Sequence, residues 1–237
     1  MPEERCNKGT RMKYFIACVF SATLIYGGFT GIAPGLAQTA TPKPDGHPTA
    51  AEAPFVTGVS ADLTHRFSTT AAAEKAGYIR YTNEDETGAI SYANGQWTSA
   101  DPKHPSQLWY DVHGRLLGAD FSVLQKDSPQ APQLWSVQAS RWFKIGAHVH
   151  YGLAQADGSV HYGEMRVAKY TAAGGSADAV TVEGLVKAGV AKQASDVRFG
   201  FLFPAIWDMT VWVIPNPDGA FAEANPNVKP SHPATGM

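Results

Sequence analysis

The sequence predicts a mainly β or α+β fold: one antiparallel, β-rich domain with a few short peripheral helices. Two observations predict it. Aromatic and β-branched residues recur in short segments along the chain, the composition of strands. Between them fall many of the 23 Gly and 16 Pro residues, which break the chain into turns. At 237 residues, with 44% hydrophobic and 17% charged, the chain is globular in composition and long enough for one ordinary domain. Lys plus Arg is 19 against 21 for Asp plus Glu, giving a net charge of -2, and no basic stripe is present. This balance argues against a nucleic acid backbone or an anionic membrane surface as partner.

In chain order, residues 1–37 read as a signal peptide. Arg5, Lys8, Arg11 and Lys13 precede an apolar stretch from Tyr14 to Tyr26, and small residues at Gly35 and Ala37 place cleavage after Ala37. The start is Met1 or Met12; either gives export to the periplasm or the extracellular space. Gly27, Gly28, Gly31 and Pro34 interrupt the apolar run, so a cleaved leader is expected in place of an anchor, with no membrane span in the mature chain. Both cysteines, Cys6 and Cys18, lie in the leader, which removes disulfides and thiol catalysis from the mature chain. Residues 38–54 hold four prolines and no large apolar residue and are expected to be a flexible spacer. The domain is expected over 55–228, and residues 229–237 as a disordered tail.

Within the domain, Ser60 and Thr69 are expected to cap two short helices, the second stopped by Gly77, and a third helix is expected over 180–188. Strands are expected at 77–82, 89–94, 106–112, 116–124, 147–154, 159–170 and 209–214. His113-Gly114 and Asp157-Gly158 are hairpin turns by composition. There is no Gly-x-Ser-x-Gly elbow, His-Glu-x-x-His, phosphate-cradling glycine loop or dinucleotide fingerprint.

All eight histidines follow the leader, and the sharpest cluster is His148-Val149-His150. On a strand, residues two apart point to one face, so both imidazoles can converge on one metal ion when a third ligand arrives from a neighbouring strand. A two-residue turn at Asp157-Gly158 would set His161 opposite Ala154 and His150 opposite Met165. His161 would then share the face of His150 but lie roughly 13 Å along it, too far to complete a site. Further ligands would come from His104, His113 or Glu164, and the cofactor would be a divalent transition metal. The segment GAHVH resembles the His-x-His of the cupins, which implies a metal-dependent enzyme of barrel design; where cupins carry a carboxylate four residues later, this chain has Ala154. The run Asn83–Gly88 reads as an acidic solvated turn. The many Trp and Tyr residues are core material, with a sugar-stacking platform as the alternative.

The segment WDMTVWVIPNPDGAFAEANPNV, residues 207–228, resembles the C-terminal signature of an uncharacterised family of exported bacterial proteins, with its Val-Trp, Asn-Pro-x-Gly-x-Phe-Ala and Asn-Pro elements. AAAEKAGY (71–78), HPSQLWYDVHGRLLGADFSV (104–123) and APQLW (131–135) resemble further pieces of it. The resemblance implies export and a shared single domain, and brings no activity. The family has a His where this chain has Thr210, and a Gly-Met-Gly-x-His element near the position of TGAISY (87–92). The expected function is therefore an exported domain that binds an unknown small ligand or an envelope protein. Its alternatives are the cupin-like metal-dependent enzyme using His148 and His150, and a carbohydrate-binding module. No residue pattern points to a particular reaction.

Overall fold

The computed structural model describes residues 45–96 and 100–232. The expected leader, the first part of the expected spacer, residues 97–99 and the last five residues lie outside them. The described elements run α1 (Ala53–Arg66), α2 (Thr70–Lys75), β1 (Ile79–Arg80), β2 (Ile90–Ala93), β3 (Gln107–Tyr110), β4 (Leu116–Leu124), β5 (Phe143–Ile145), β6 (His148–Ala154), β7 (Val160–Arg166), α3 (Val167–Ala172), α4 (Val182–Lys187), β8 (Val197–Phe203) and β9 (Ile206–Trp212). They form two antiparallel sheets, ordered β1-β2-β3-β4-β9-β5 and β7-β6-β8. No described helix is long and apolar enough to cross a membrane.

Alternation along the strands explains the layering. In the large sheet, Ile90, Tyr92, Leu108, Tyr110, Ala119, Phe121, Met209 and Val211 share one face and pack with Val59, Leu63 and Phe67 of α1 and Ala73 of α2. In the small sheet, Val149, Met165 and Leu202 point the same way and pack with Tyr170 of α3 and Leu185 of α4. Each sheet thus buries its apolar face under its own pair of helices, at roughly 25 cal/mol per Å² of apolar surface removed from water. The opposite faces carry Gln107, Asp120, Ser122, Asp208 and Thr210 from the large sheet and His148, His150, Glu164, Phe201 and Phe203 from the small one. Two short links, 146–147 and 204–205, carry the chain between adjacent strands of the two sheets, from β5 to β6 and from β8 to β9.

Several elements depart from the sequence reading. One helix, α1, replaces the short helix expected after Ser60, because Thr49 and Glu52 form a reciprocal capping pair at its start. The Thr49 N–H donates to Glu52 Oε2 (2.9 Å) and the Glu52 N–H to Thr49 Oγ1 (3.3 Å). Residues 45–54, expected as flexible spacer, are therefore part of the fold. Glu52 is fully buried, and Arg141 donates to its carboxylate (3.0 Å) and to the carbonyls of Asp45 and His47. The tail is pinned as far as Ser231, whose N–H donates to Glu84 (2.7 Å). Strands β5 and β8 were not among those expected, and the 159–170 segment turns helical at Val167. The Asn216–Gly219 turn forms as expected, with Gly219 at φ 97°, and Trp212 Nε1 donates back to the Ala222 carbonyl (2.7 Å).

Candidate functional site

The β6–β7 hairpin decides the site. Only Gly158 takes a positive φ (84°) in its loop, whereas a two-residue turn would need one at Asp157 as well. The chain instead makes a three-residue loop, closed by Gly158 N–H donating to the Gln155 carbonyl (3.0 Å) and Gln155 N–H to the Ser159 carbonyl (2.9 Å). The register shifts by one residue from the expected one. Glu164, not Met165, lies opposite His150, and His161 lies opposite Leu153 on the other face. The shift brings a carboxylate to the two imidazoles.

His148 Nε2 and His150 Nε2 stand 2.8 Å apart, and Glu164 Oε2 is 4.0 Å from each. These three donors lie within 4.8 Å of one another and can hold a metal ion. His148 Nδ1–H donates to the Gly146 carbonyl (2.8 Å), which leaves its Nε2 lone pair facing the site. The rings are held by aromatics: His148 stacks on Phe203 (centroids 4.8 Å), and His150 lies against Phe201 (5.5 Å) and the edge of Tyr81 (4.6 Å). Burial, with the neighbouring His148, pushes the pKa of His150 down to about 3, so it stays in the neutral form a metal requires. Glu164 is exposed, so the group grades from solvent at the carboxylate to the interior at His150.

The three donors open into a cavity of about 410 Å³ between the sheets. Its far wall carries residues that the sequence reading did not single out: Asp120 on β4, Asp208 on β9 and Gln107 on β3. Asp120 and Asp208 sit diagonally across the β4–β9 pair, where Asp120 faces Thr210 and Ser122 faces Asp208. Thr210 Oγ1 and Trp109 Nε1 donate to Asp120 (both 3.0 Å), and Ser122 Oγ donates to Asp208 (2.6 Å). Burial raises both carboxyl groups, Asp208 to about 7, and the charge of Asp208 pushes Asp120 further up. The signal was present in the sequence: a lone Asp in LLGADFSVL and another in IWDMTVW, each at an inward position of an apolar strand.

Other expected residues are not brought to the site. His104 pairs with Asp101 (2.7 Å), three residues away, and His113 sits in the β3–β4 turn; neither belongs to the donor group. The Asn83–Gly88 run is an Asx-type turn in which Asp85 accepts from the Thr87 and Ala89 N–H groups. Among the described residues the Trp–Trp contacts are edge-on or tilted, at 66° and 41°, and form no coplanar platform for a sugar. No protein-family model, curated protein or solved structure matches the chain. Thr210, Ala89 and Ser91 also line the cavity beside the His–His–Glu group.

Proposed function

We propose that this chain is an exported binding protein that holds a divalent transition metal at His148, His150 and Glu164, with the metal's remaining coordination open to the inter-sheet cavity for a small ligand. The observation that carries this reading is the convergence of two imidazole Nε2 atoms and one carboxylate oxygen on one point at the mouth of the inter-sheet cavity. Two nitrogens bound at 2.0–2.1 Å to a tetrahedral ion stand about 3.3 Å apart, so the imidazoles need only separate by about half an ångström. Three protein donors leave a fourth position free, the arrangement of metal sites that bind ligands or substrates. Export rests on the basic, apolar and small-residue order of the leader.

Elemental analysis by mass spectrometry of protein purified without chelators tests the reading. One metal per chain is expected, lost in His148→Ala/His150→Ala, and each single variant should weaken binding by at least about 100-fold, since even changes to residues behind the ligands cost 10–100-fold. A metal-free wild type whose stability is unaltered by added zinc or by chelator would overturn it.

A further inference from the structure

The carboxyl pair on the far wall serves no purpose in holding the metal and lacks the usual structural partner. Two buried carboxyl groups side by side cannot both ionise without a counter-charge, and among the described residues no Lys or Arg lines the cavity. Gln107 adds a second unexplained group. It is 4% exposed, one end of its amide accepts from the Tyr81 hydroxyl, and no described residue takes up the other end. Tyr81 links the two walls: its ring lies against His150, and its hydroxyl feels the charges of Asp120, Asp208 and Glu164 together. A second cavity of about 800 Å³, lined by Leu124, Phe201 and Ile206 among others, shares Gln107 and Phe203 with the first.

Resting on the metal reading above, we propose that the cleft is the active site of a metal-dependent hydrolase of uncharged carboxylic esters or amides, in which Asp120 and Asp208 move the protons and the Gln107 amide donates to the developing oxyanion. A metal held by His148, His150 and Glu164 would polarise water, and the opposite wall of the same cavity supplies acid, base and hydrogen-bond donor. The ionised carboxylate of the pair takes one proton from the water as its oxygen adds to the carbonyl carbon. The Gln107 N–H group donates to the carbonyl oxygen as negative charge builds there. When the bond from carbon to the leaving oxygen or nitrogen breaks, the electron pair leaves with that atom, and a proton from the pair joins it. One water is consumed, a carboxylic acid and an alcohol or amine are formed, and the pair returns to holding one proton. Carboxylate walls without Lys or Arg among the described lining residues disfavour anionic substrates, and the adjoining larger cavity suits an apolar substituent.

The test uses the full chain loaded with zinc, with p-nitrophenyl acetate and p-nitrophenyl phosphate as probes and zinc affinity measured separately by competition with a chromophoric chelator. Zinc-dependent hydrolysis of the acetate and none of the phosphate is expected. Asp208→Asn and Asp120→Asn should each lower kcat by about 10²–10⁴-fold while zinc affinity stays within about threefold. Gln107→Leu should lower it by about 10²–10³-fold. Variants that bind zinc and hydrolyse like wild type would overturn the assignment. Should the variants not fold, the wild type decides: zinc bound without zinc-dependent hydrolysis overturns the hydrolase and leaves the metal reading standing, whereas failure to bind zinc removes both.

Discussion

Two buried acidic clusters in this molecule solve the same electrostatic problem in opposite ways. Glu52 is fully buried at the start of α1 and meets Arg141, itself only 8% exposed in its side chain, at 3.0 Å. Burial opposes the charge of Glu52, yet Arg141 and the Thr49 and Gln138 N–H groups outweigh it and hold the carboxyl down at about 2. Asp120 and Asp208 are as deeply buried but have no opposite charge, only hydroxyl and indole donors, the Met209 N–H beside Asp208, and each other. Burying a charge is tolerated where an opposite charge and hydrogen bonds complete it. The comparison teaches that the complete cluster is a fastening, whereas the incomplete one relieves its charge by holding a proton.

The largest expected effect breaks the fastening. Arg141 spans Glu52 and the carbonyls of Asp45 and His47, and it lies over the Phe221 ring at 4.7 Å. Arg141→Ala strands a buried carboxylate and should cost about 3–5 kcal/mol in urea denaturation at pH 7. The segment from residue 45 to 52 should become cleavable by protease in the native state. A loss below about 1 kcal/mol would mean that the pair is not what holds this end of the chain.

The pH dependence sharpens the comparison, because the two clusters have opposite signs. Glu52 is depressed from 4.5 to about 2, so its contribution is complete above pH 4.5 and is lost as pH falls toward 2. The whole contribution is about 3 kcal/mol. Asp208 is raised from 3.8 to about 7, so its contribution is complete below pH 3.8 and is lost as pH rises through 7. His150, depressed from 6.5 to about 3, adds a loss of its own as pH falls through that window, so the informative quantity is variant minus wild type. Glu52→Gln should be less stable than wild type at pH 6 and converge with it near pH 2. Asp208→Asn should match wild type near pH 4 and exceed its stability at pH 8. Urea midpoints of apo protein from pH 2.5 to 8.5 check both, and a deficit of Asp208→Asn at pH 8 would show the pair to be structural.

Legibility in the sequence follows the same division. The segments 116–124 and 147–154 were readable from their aromatic and β-branched content between turn residues, although 116–124 is buried along both faces for most of its length. Strand β8, VRFGFLF, was missed because Phe199, Phe201 and Phe203 occupy one face and Gly200 and Leu202 the other, so neither face is polar. The start of α1 was written in Thr49-x-x-Glu52 and Pro54, but surrounding prolines and alanines made that stretch resemble a linker. His148 and His150 were legible as a pair from their spacing alone. Glu164 was named, yet its position opposite His150 hung on one residue of turn length, which composition does not fix. Asp120, Asp208 and Gln107 come from three strands whose neighbours are set by sheet order, and no local pattern carries that order.

The smallest effect probes how finely the incomplete cluster is tuned. Thr210 Oγ1 donates to Asp120 Oδ1 at 3.0 Å and favours the ionised form of that carboxyl against burial and the charge of Asp208. Thr210→Val keeps the shape and removes the donor, so the pKa of Asp120 should rise further, and losing one hydrogen bond to the charged form should cost about 1 kcal/mol where Asp120 is ionised. The sign follows from the raised pKa: near pH 4, with Asp120 protonated, the variant should stay close to wild type, and it should fall behind as pH rises toward 8. A deficit equal at both pH values would assign the hydroxyl to packing of the β4–β9 pair alone. A deficit confined to high pH would show that Thr210 acts on the charge of Asp120, as a group placed to tune a proton-holding pair must.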